Sequence, residues 1–131
     1  MAKLIHSMLR VLDLDRSISF YVDVLGMCVS RKLEFPDFTL VYLRGDEADF
    51  EIELTHNHGR DTPYAAGEGY GHIAACVPDL HQEHRRLSER GHSVGEIKRL
   101  VHQSNLVGEF FFLSDPDGYR IEILQTNGVY R

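Results

Sequence analysis

The segment Leu4-Ile5-His6-Ser7-Met8-Leu9-Arg10-Val11, followed by Asp13-Leu14, decides the fold because the chain repeats its pattern. The second copy is Gly71-His72-Ile73-Ala74-Ala75-Cys76-Val77, followed by Asp79-Leu80. In both copies a valine lies five residues after the histidine, and the Asp-Leu pair begins seven residues after it. An internal repeat of this kind predicts two modules with the same structure.

A helix is expected after each copy of the repeat. In the first half, four apolar residues recur at i, i+3, i+4 and i+7, which predicts one apolar helical face. They are Ile18, Tyr21, Val22 and Leu25. Asp13 or Asp15 can cap the start of this helix, and Gly26 can end it.

The helix of the second half has a weaker pattern. Asp79 is the expected N-cap, and Gly91 is the expected end. Between them only Leu80 and Leu87 suggest an apolar face.

Each half continues with three segments rich in β-branched and aromatic residues, which predict strands. These segments are Met27–Leu33, Phe38–Leu43, Phe50–Leu54, Ser93–Ile97, Glu109–Leu113 and Tyr119–Leu124. The fold class is therefore α+β, with two βαβββ modules (1–56 and 70–127) in one domain spanning 1–131. The stretch 57–69, rich in glycine, is the expected linker. Since each module has a small, half-exposed sheet, two modules must pack together.

Composition excludes several classes of protein. Hydrophobic residues make up 43% of the chain and charged residues 26%, which favours a packed core over disorder. A net charge of -6 argues against a nucleic-acid partner. No apolar run reaches the roughly 20 residues of a membrane span, and no signal-peptide pattern is present, so we expect a cytoplasmic protein. Cys28 and Cys76 are expected to be buried free thiols.

The repeat also places a histidine on the first strand of each module and a glutamate on its last strand. These residues are His6 and Glu53 in the first half, and His72 and Glu122 in the second. A carboxylate flanked by apolar residues on a central strand is costly to bury unless a positive group holds it. Two imidazoles and two carboxylates form a ligand set suited to a borderline divalent metal. The sequence therefore predicts a metal site.

A lone strand histidine or glutamate is more often structural or solvated, and only the recurrence of both pairs favours metal binding here. The remaining six histidines are interpreted as structural or solvated residues. They are His56, His58, His81, His84, His92 and His102.

Several stretches resemble the vicinal oxygen chelate superfamily and, within it, glyoxalase I (lactoylglutathione lyase) of the short bacterial type. Glu53-Leu54-Thr55-His56-Asn57 and Tyr70-Gly71-His72-Ile73-Ala74 are fairly specific for glyoxalase I. Asp115-Pro116-Asp117-Gly118, followed by Glu122, is shared by many members of the superfamily. Together with His6–Val11, Arg16–Tyr21 and Val24–Met27, these stretches span nearly the whole chain.

The resemblance implies paired βαβββ modules whose mixed sheets curve around one divalent metal ion. It also implies a homodimer with sites at the subunit interface, where His6 and Glu53 of one chain face the second pair of the other. Short bacterial members favour nickel or cobalt, and longer forms more often use zinc. The implied ligands are all four residues of the repeat: His6, Glu53, His72 and Glu122.

The implied reaction converts the hemithioacetal of methylglyoxal and glutathione into S-lactoylglutathione. Arg10 and Asn57 match positions that bind the γ-glutamyl end of glutathione. By analogy with the family Glu122 is the base, whereas the residues alone leave Glu53 chemically equivalent. One segment, 102–109, departs from the Lys-Gly-Gly type of loop that helps hold the glycine end of glutathione.

The same fold also hosts two other kinds of function. An epimerase or a thiol transferase of the same superfamily is the alternative enzyme, although transferases and dioxygenases of the superfamily normally use only two histidines and one glutamate. A resistance protein that sequesters its ligand is the non-enzymatic alternative, and such proteins typically lack the metal residues.

Overall fold

The computed structural model describes residues 1–131, which form two compact units, Met1–Ala65 and Ala66–Arg131. The elements of the first unit are β1 (His6–Arg10), α1 (Leu14–Leu25), β2 (Cys28–Glu34), β3 (Phe38–Arg44) and β4 (Glu51–Asn57). Those of the second are β5 (Ile73–Val77), α2 (Leu80–Glu89), β6 (Lys98–His102), β7 (Asn105–Ser114) and β8 (Arg120–Gln125). Each unit therefore has the predicted βαβββ order.

The two sheets have the same topology. The strand order is β1-β4-β3-β2 in the first unit and β5-β8-β7-β6 in the second. In each, the first strand is parallel to the last, and the other neighbours are antiparallel. The α+β prediction with two mixed sheets is confirmed, and the glutamate-bearing strands β4 and β8 occupy the same central position.

One face of each sheet carries the core. In the first unit the apolar residues buried on this face are Leu9, Val41, Leu43, Ile52 and Leu54, and Val11, just after β1, is buried as well. In the second they include Phe111, Leu113, Ile121 and Ile123, with Leu80 and Leu87 from α2. Since side chains alternate along a strand, the opposite face of β4 carries Glu53, and the opposite face of β8 carries Glu122.

Equivalent aspartates start both helices. Asp13 accepts a hydrogen bond from the backbone N–H of Arg16 at 3.0 Å, and Asp79 accepts one from Gln82 at 2.9 Å. Of the two caps considered for α1, the structure selects Asp13. The helix ends at Gly26, whose φ of 63° lies in the left-handed region that glycine adopts without strain.

The buried face of α1 differs from the predicted one. Ser17, Phe20, Tyr21 and Val24 are buried, whereas Val22 is 45% exposed. Both sets of residues have the same helical spacing, so periodicity could not distinguish them. The prediction for α2 is confirmed, because Leu80 and Leu87 are both buried.

Three further predictions require correction. The strand expected at Ser93–Ile97 lies instead at Lys98–His102, as the edge strand β6, whose residues are all exposed. Asn57, placed in the linker, belongs to β4. The segment 102–109 is mainly a hairpin rather than a loop, with a turn at Gln103 and Ser104, both of which have positive φ.

The cysteines were predicted to be free and buried. Both are free, but both are exposed. Cys28 begins the edge strand β2, and Cys76 alternates with the less exposed Ala75 and Val77 on β5. An apolar local sequence therefore did not indicate burial.

Neither helix has the length and hydrophobicity that crossing a bilayer requires.

Candidate functional site

The first histidine and glutamate of the repeat are in contact within the first unit. His6 begins β1, and Glu53 lies in the middle of the parallel strand β4, directly opposite Met8. The His6 Nε2 atom lies 3.2 Å from Glu53 Oε2. The Glu53 side chain is 13% exposed, and its strand neighbours Ile52 and Leu54 are buried on the other face.

The second pair repeats this geometry in the second unit. His72 Nε2 lies 2.7 Å from Glu122 Oε2, and the Glu122 side chain is 14% exposed. Glu122 pairs with Ala74 of β5, just as Glu53 pairs with Met8. His72 was expected on the strand but lies immediately before β5, which begins at Ile73. The structure therefore brings each predicted histidine to its predicted glutamate.

Each pair presents one imidazole nitrogen and one carboxylate to the same side of its sheet. Imidazole nitrogen and carboxylate oxygen are both ligands of borderline divalent cations, so each pair is chemically half of a four-ligand set. Within the single chain, no group of three or more His, Cys, Asp or Glu side chains is arranged to hold a metal ion.

Sequence reasoning missed the residues that surround Glu53. Tyr42 of β3 lies directly opposite Glu53, and its hydroxyl forms a hydrogen bond with the Glu53 carboxylate. That bond, followed by burial, raises the pKa of Tyr42 above its ordinary value. Thr55 Oγ1 also donates to Glu53 Oε1, at 3.4 Å. The alternation of Tyr42 with Val41 and Leu43 was the signal that could have placed it on the face of Glu53.

The two predicted substrate-binding residues lie on the face of Glu53 as well. Arg10 ends β1 opposite Thr55, and Asn57 ends β4 two residues further on, so both are near one end of the same sheet. The Asn57 side-chain amide donates to the Tyr64 hydroxyl at 3.0 Å. The guanidinium of Arg60 lies 4.1 Å from the centre of the Tyr64 ring, so a polar cluster extends beyond the strand end.

Several of the histidines interpreted as structural have protein partners. His58 contacts Thr39 Oγ1 at 2.8 Å and the Pro36 carbonyl at 3.0 Å. His84 contacts the carbonyl of Gly95 at 2.8 Å. His102 ends strand β6 and is exposed.

The basic residues near the unusual segment 102–109 are also strand residues. Lys98 and Arg99 begin β6, where they pair with Phe110 and Glu109 of β7. Both are exposed. Lys98 pairs with Phe110 of β7, and Phe110 pairs in turn with Leu124 of β8. Leu124 lies two residues after Glu122, so Lys98 is on the face of the sheet that carries Glu122.

Comparison with known proteins agrees with the fold. Residues 3–123 match the Glyoxalase/Bleomycin resistance protein/Dioxygenase superfamily. The chain is 42% identical over 129 residues to a probable lactoylglutathione lyase of Synechocystis sp., covering 95% of each chain.

Solved structures show the same relationship. The trypanothione-dependent glyoxalase I of Leishmania major has a TM-score of 0.76 and 37% identity, with 95% of this chain and 87% of that chain covered. Glyoxalase I from Zea mays has a TM-score of 0.83 and 31% identity, but this chain spans only 44% of its length. The two βαβββ units, the repeated His–Glu pairs and these relationships together show that the chain belongs to the glyoxalase superfamily and to its lactoylglutathione lyase family.

Proposed function

We propose that this protein is a metal-dependent lactoylglutathione lyase that isomerises the hemithioacetal of methylglyoxal and glutathione to S-lactoylglutathione. The observation that carries the proposal is the pair of equivalent His–Glu contacts, at 3.2 Å and 2.7 Å, on equivalent strands of an internal repeat. Relatives named lactoylglutathione lyase, 36–42% identical over nearly the full length, support the same activity.

The proposed ligands are His6, Glu53, His72 and Glu122, and nickel is the expected ion, with cobalt or zinc as alternatives. Two imidazoles and two carboxylates suit all three cations. When bound, such a cation supplies positive charge beside the two neighbouring oxygens on which negative charge develops.

The reaction moves one proton between adjacent carbons and needs no oxidant or reductant. The carbon that bears sulfur and hydroxyl loses its proton to a carboxylate, which returns it to the neighbouring carbonyl carbon. The hydroxyl oxygen loses its proton and becomes the thioester carbonyl, and the former carbonyl oxygen takes up a proton as the new hydroxyl, so the proton count is unchanged. Glu122 is the proposed base by analogy with the family, and its carboxylate can both accept and return the proton.

The remainder of the substrate is assigned to the polar end of the first sheet. Arg10 offers a guanidinium for a carboxylate of the γ-glutamyl group, and such charge-assisted pairs are among the stronger hydrogen bonds. Asn57, held by Tyr64, adds an amide. Exposed free thiols at Cys28 and Cys76 are compatible with the reducing, glutathione-containing cytoplasm that we propose as its location.

We further propose that the protein works as a homodimer in which the first unit of one chain and the second unit of its partner complete each site. Each unit holds one His–Glu pair, which is half of the ligand set. Apolar side chains exposed on the strands also favour burial by a partner; they include Met8, Val29, Leu33, Leu100, Val101 and Leu106.

Metal removal followed by restoration of each ion tests the function. The metal-free protein should be inactive toward the hemithioacetal, and nickel or cobalt should restore more isomerisation than zinc. Glu53→Gln should bind metal more weakly, whereas Glu51→Gln, on the same face of the same strand, is the matched control and should bind normally. A wild-type protein that binds these ions without isomerising the hemithioacetal of glutathione or of trypanothione would refute the proposed reaction.

A further inference from the structure

The two glutamates of the repeat occupy equivalent positions but have different neighbours. Across the β3–β4 ladder Glu53 pairs with Tyr42, and across the β7–β8 ladder Glu122 pairs with Phe112. Tyr42 and Phe112 are therefore counterparts in the two sheets. They differ by one hydroxyl group, which lies on the side chain that contacts Glu53.

A second hydroxyl shows the same asymmetry. Thr55, two residues after Glu53, donates to Glu53 Oε1 at 3.4 Å. The residue two positions after Glu122 is Leu124, which has no donor in its side chain. Besides its contact with His6, Glu53 therefore accepts hydrogen bonds from Tyr42 and Thr55. The side chains at the two corresponding positions beside Glu122, Phe112 and Leu124, have no hydrogen-bond donor.

The aromatic rings themselves are held in matching surroundings. The Tyr42 ring lies edge-on to His6 at 5.8 Å, with the Arg31 guanidinium 4.3 Å from its centre. The Phe112 ring lies edge-on to His72 at 5.3 Å, with the Arg120 guanidinium 4.0 Å from its centre. Tyr42 is only 8% exposed, and its contacts with His6 and Arg31 restrict the movement of its ring.

A hydrogen bond from a rigid donor orients a ligand carboxylate and restricts its rotation. We infer that Tyr42 is a positioning residue that holds Glu53 as the fixed metal ligand, so that Glu122 is the glutamate free to loosen and carry the proton. This inference rests on the proposed function and deepens it, since it gives a physical reason why two glutamates related by the repeat have different roles.

Metal binding alone provides the first test. Zn²⁺ is titrated into the metal-free dimer, without substrate, for wild type, Tyr42→Phe and Phe112→Tyr. Tyr42→Phe should weaken Zn²⁺ binding by about 10-fold or more, the usual effect of losing a hydrogen bond to a metal ligand. Phe112→Tyr, the counterpart change, should not weaken it. Unchanged affinity in Tyr42→Phe would overturn the inference.

Transferring the hydroxyl between the units provides the second test. The exchanged background is the double variant Tyr42→Phe/Phe112→Tyr. Glu53→Gln and Glu122→Gln are each made in the wild-type and in the exchanged background. Turnover and metal content are measured for every variant. In wild type Glu122→Gln should cause the larger loss, and in the exchanged background this difference should shrink or reverse. An equal difference in both backgrounds would overturn the inference, because a merely structural hydroxyl would lower both activities together.

The two tests separate this inference from the function on which it rests. Both aromatic substitutions keep the ring, and thermal denaturation shows whether the fold is retained. Failure of wild type to bind Zn²⁺ would overturn the proposed function together with the inference. Normal wild-type activity with no effect of Tyr42→Phe on either readout would overturn the inference alone.

Discussion

Replacing Glu122 with glutamine separates metal binding from proton transfer. The amide keeps a carbonyl oxygen for the cation but removes the carboxylate that accepts the proton. The change is nearly isosteric, and the backbone of β8 on either side is held by the buried Ile121 and Ile123. We therefore expect the fold to be retained and the loss to be chemical.

The magnitude follows from the role assigned to the side chain. Loss of a general base typically lowers turnover by about 10²–10⁴-fold, which corresponds to about 2.7–5.4 kcal/mol of transition-state stabilisation. The amide is also a weaker partner for His72, which lies 2.7 Å away in the wild type, so reduced metal occupancy should add to the loss.

The assay is isomerisation of the preformed hemithioacetal, with metal content measured on the same protein sample. Turnover is then expressed per bound ion, so that lost metal is not mistaken for a lost base. Glu51→Gln is the control, because Glu51 lies on a ligand-bearing strand but bonds to Ser30 rather than to a histidine. Near-normal turnover in metal-loaded Glu122→Gln would refute the role of Glu122 and make Glu53 the next candidate.

Three further changes test substrate binding and the scaffold. Arg10→Ala should raise KM with little change in kcat, because it removes an interaction with a remote part of the substrate; steady-state kinetics at saturating metal would show this. Phe111→Ala should lower the free energy of unfolding by about 3–5 kcal/mol, since the ring is fully buried, and denaturant titration would measure it. Gly26→Ala should cost about 1–2 kcal/mol, because a side chain is strained at φ 63°, and a lower midpoint of thermal unfolding would reveal it.

The fold was largely predictable because two independent signals agreed. The repeat placed His6 and His72, Asp13 and Asp79, and the closing strands at matching positions, and strand alternation placed both glutamates opposite apolar residues. Since those patterns are local and recur, they do not depend on how distant segments pack. The contacts of His6 with Glu53 and of His72 with Glu122 follow from the parallel pairing of the first and last strands of each unit.

The edge strands were predicted less well. Strand β6 was placed at Ser93–Ile97 but runs from Lys98 to His102, and all its residues are exposed. An edge strand with no buried face has no alternating apolar pattern to mark its bounds, so propensity alone cannot place it. Cys28, at the start of the other edge strand β2, was expected to be buried because its neighbours are apolar, but every residue of β2 is exposed.

The sequence by itself determined the repeat, the order of the elements and the four candidate ligands, because each depends on residue type and short-range spacing. Only the tertiary structure decided which stripe of α1 is buried, since residues 17, 20, 21 and 24 have the same spacing as the predicted set. It alone also placed Tyr42 beside Glu53 and Phe112 beside Glu122. Those neighbours come from antiparallel register between strands, a property of the folded sheet that no single segment contains.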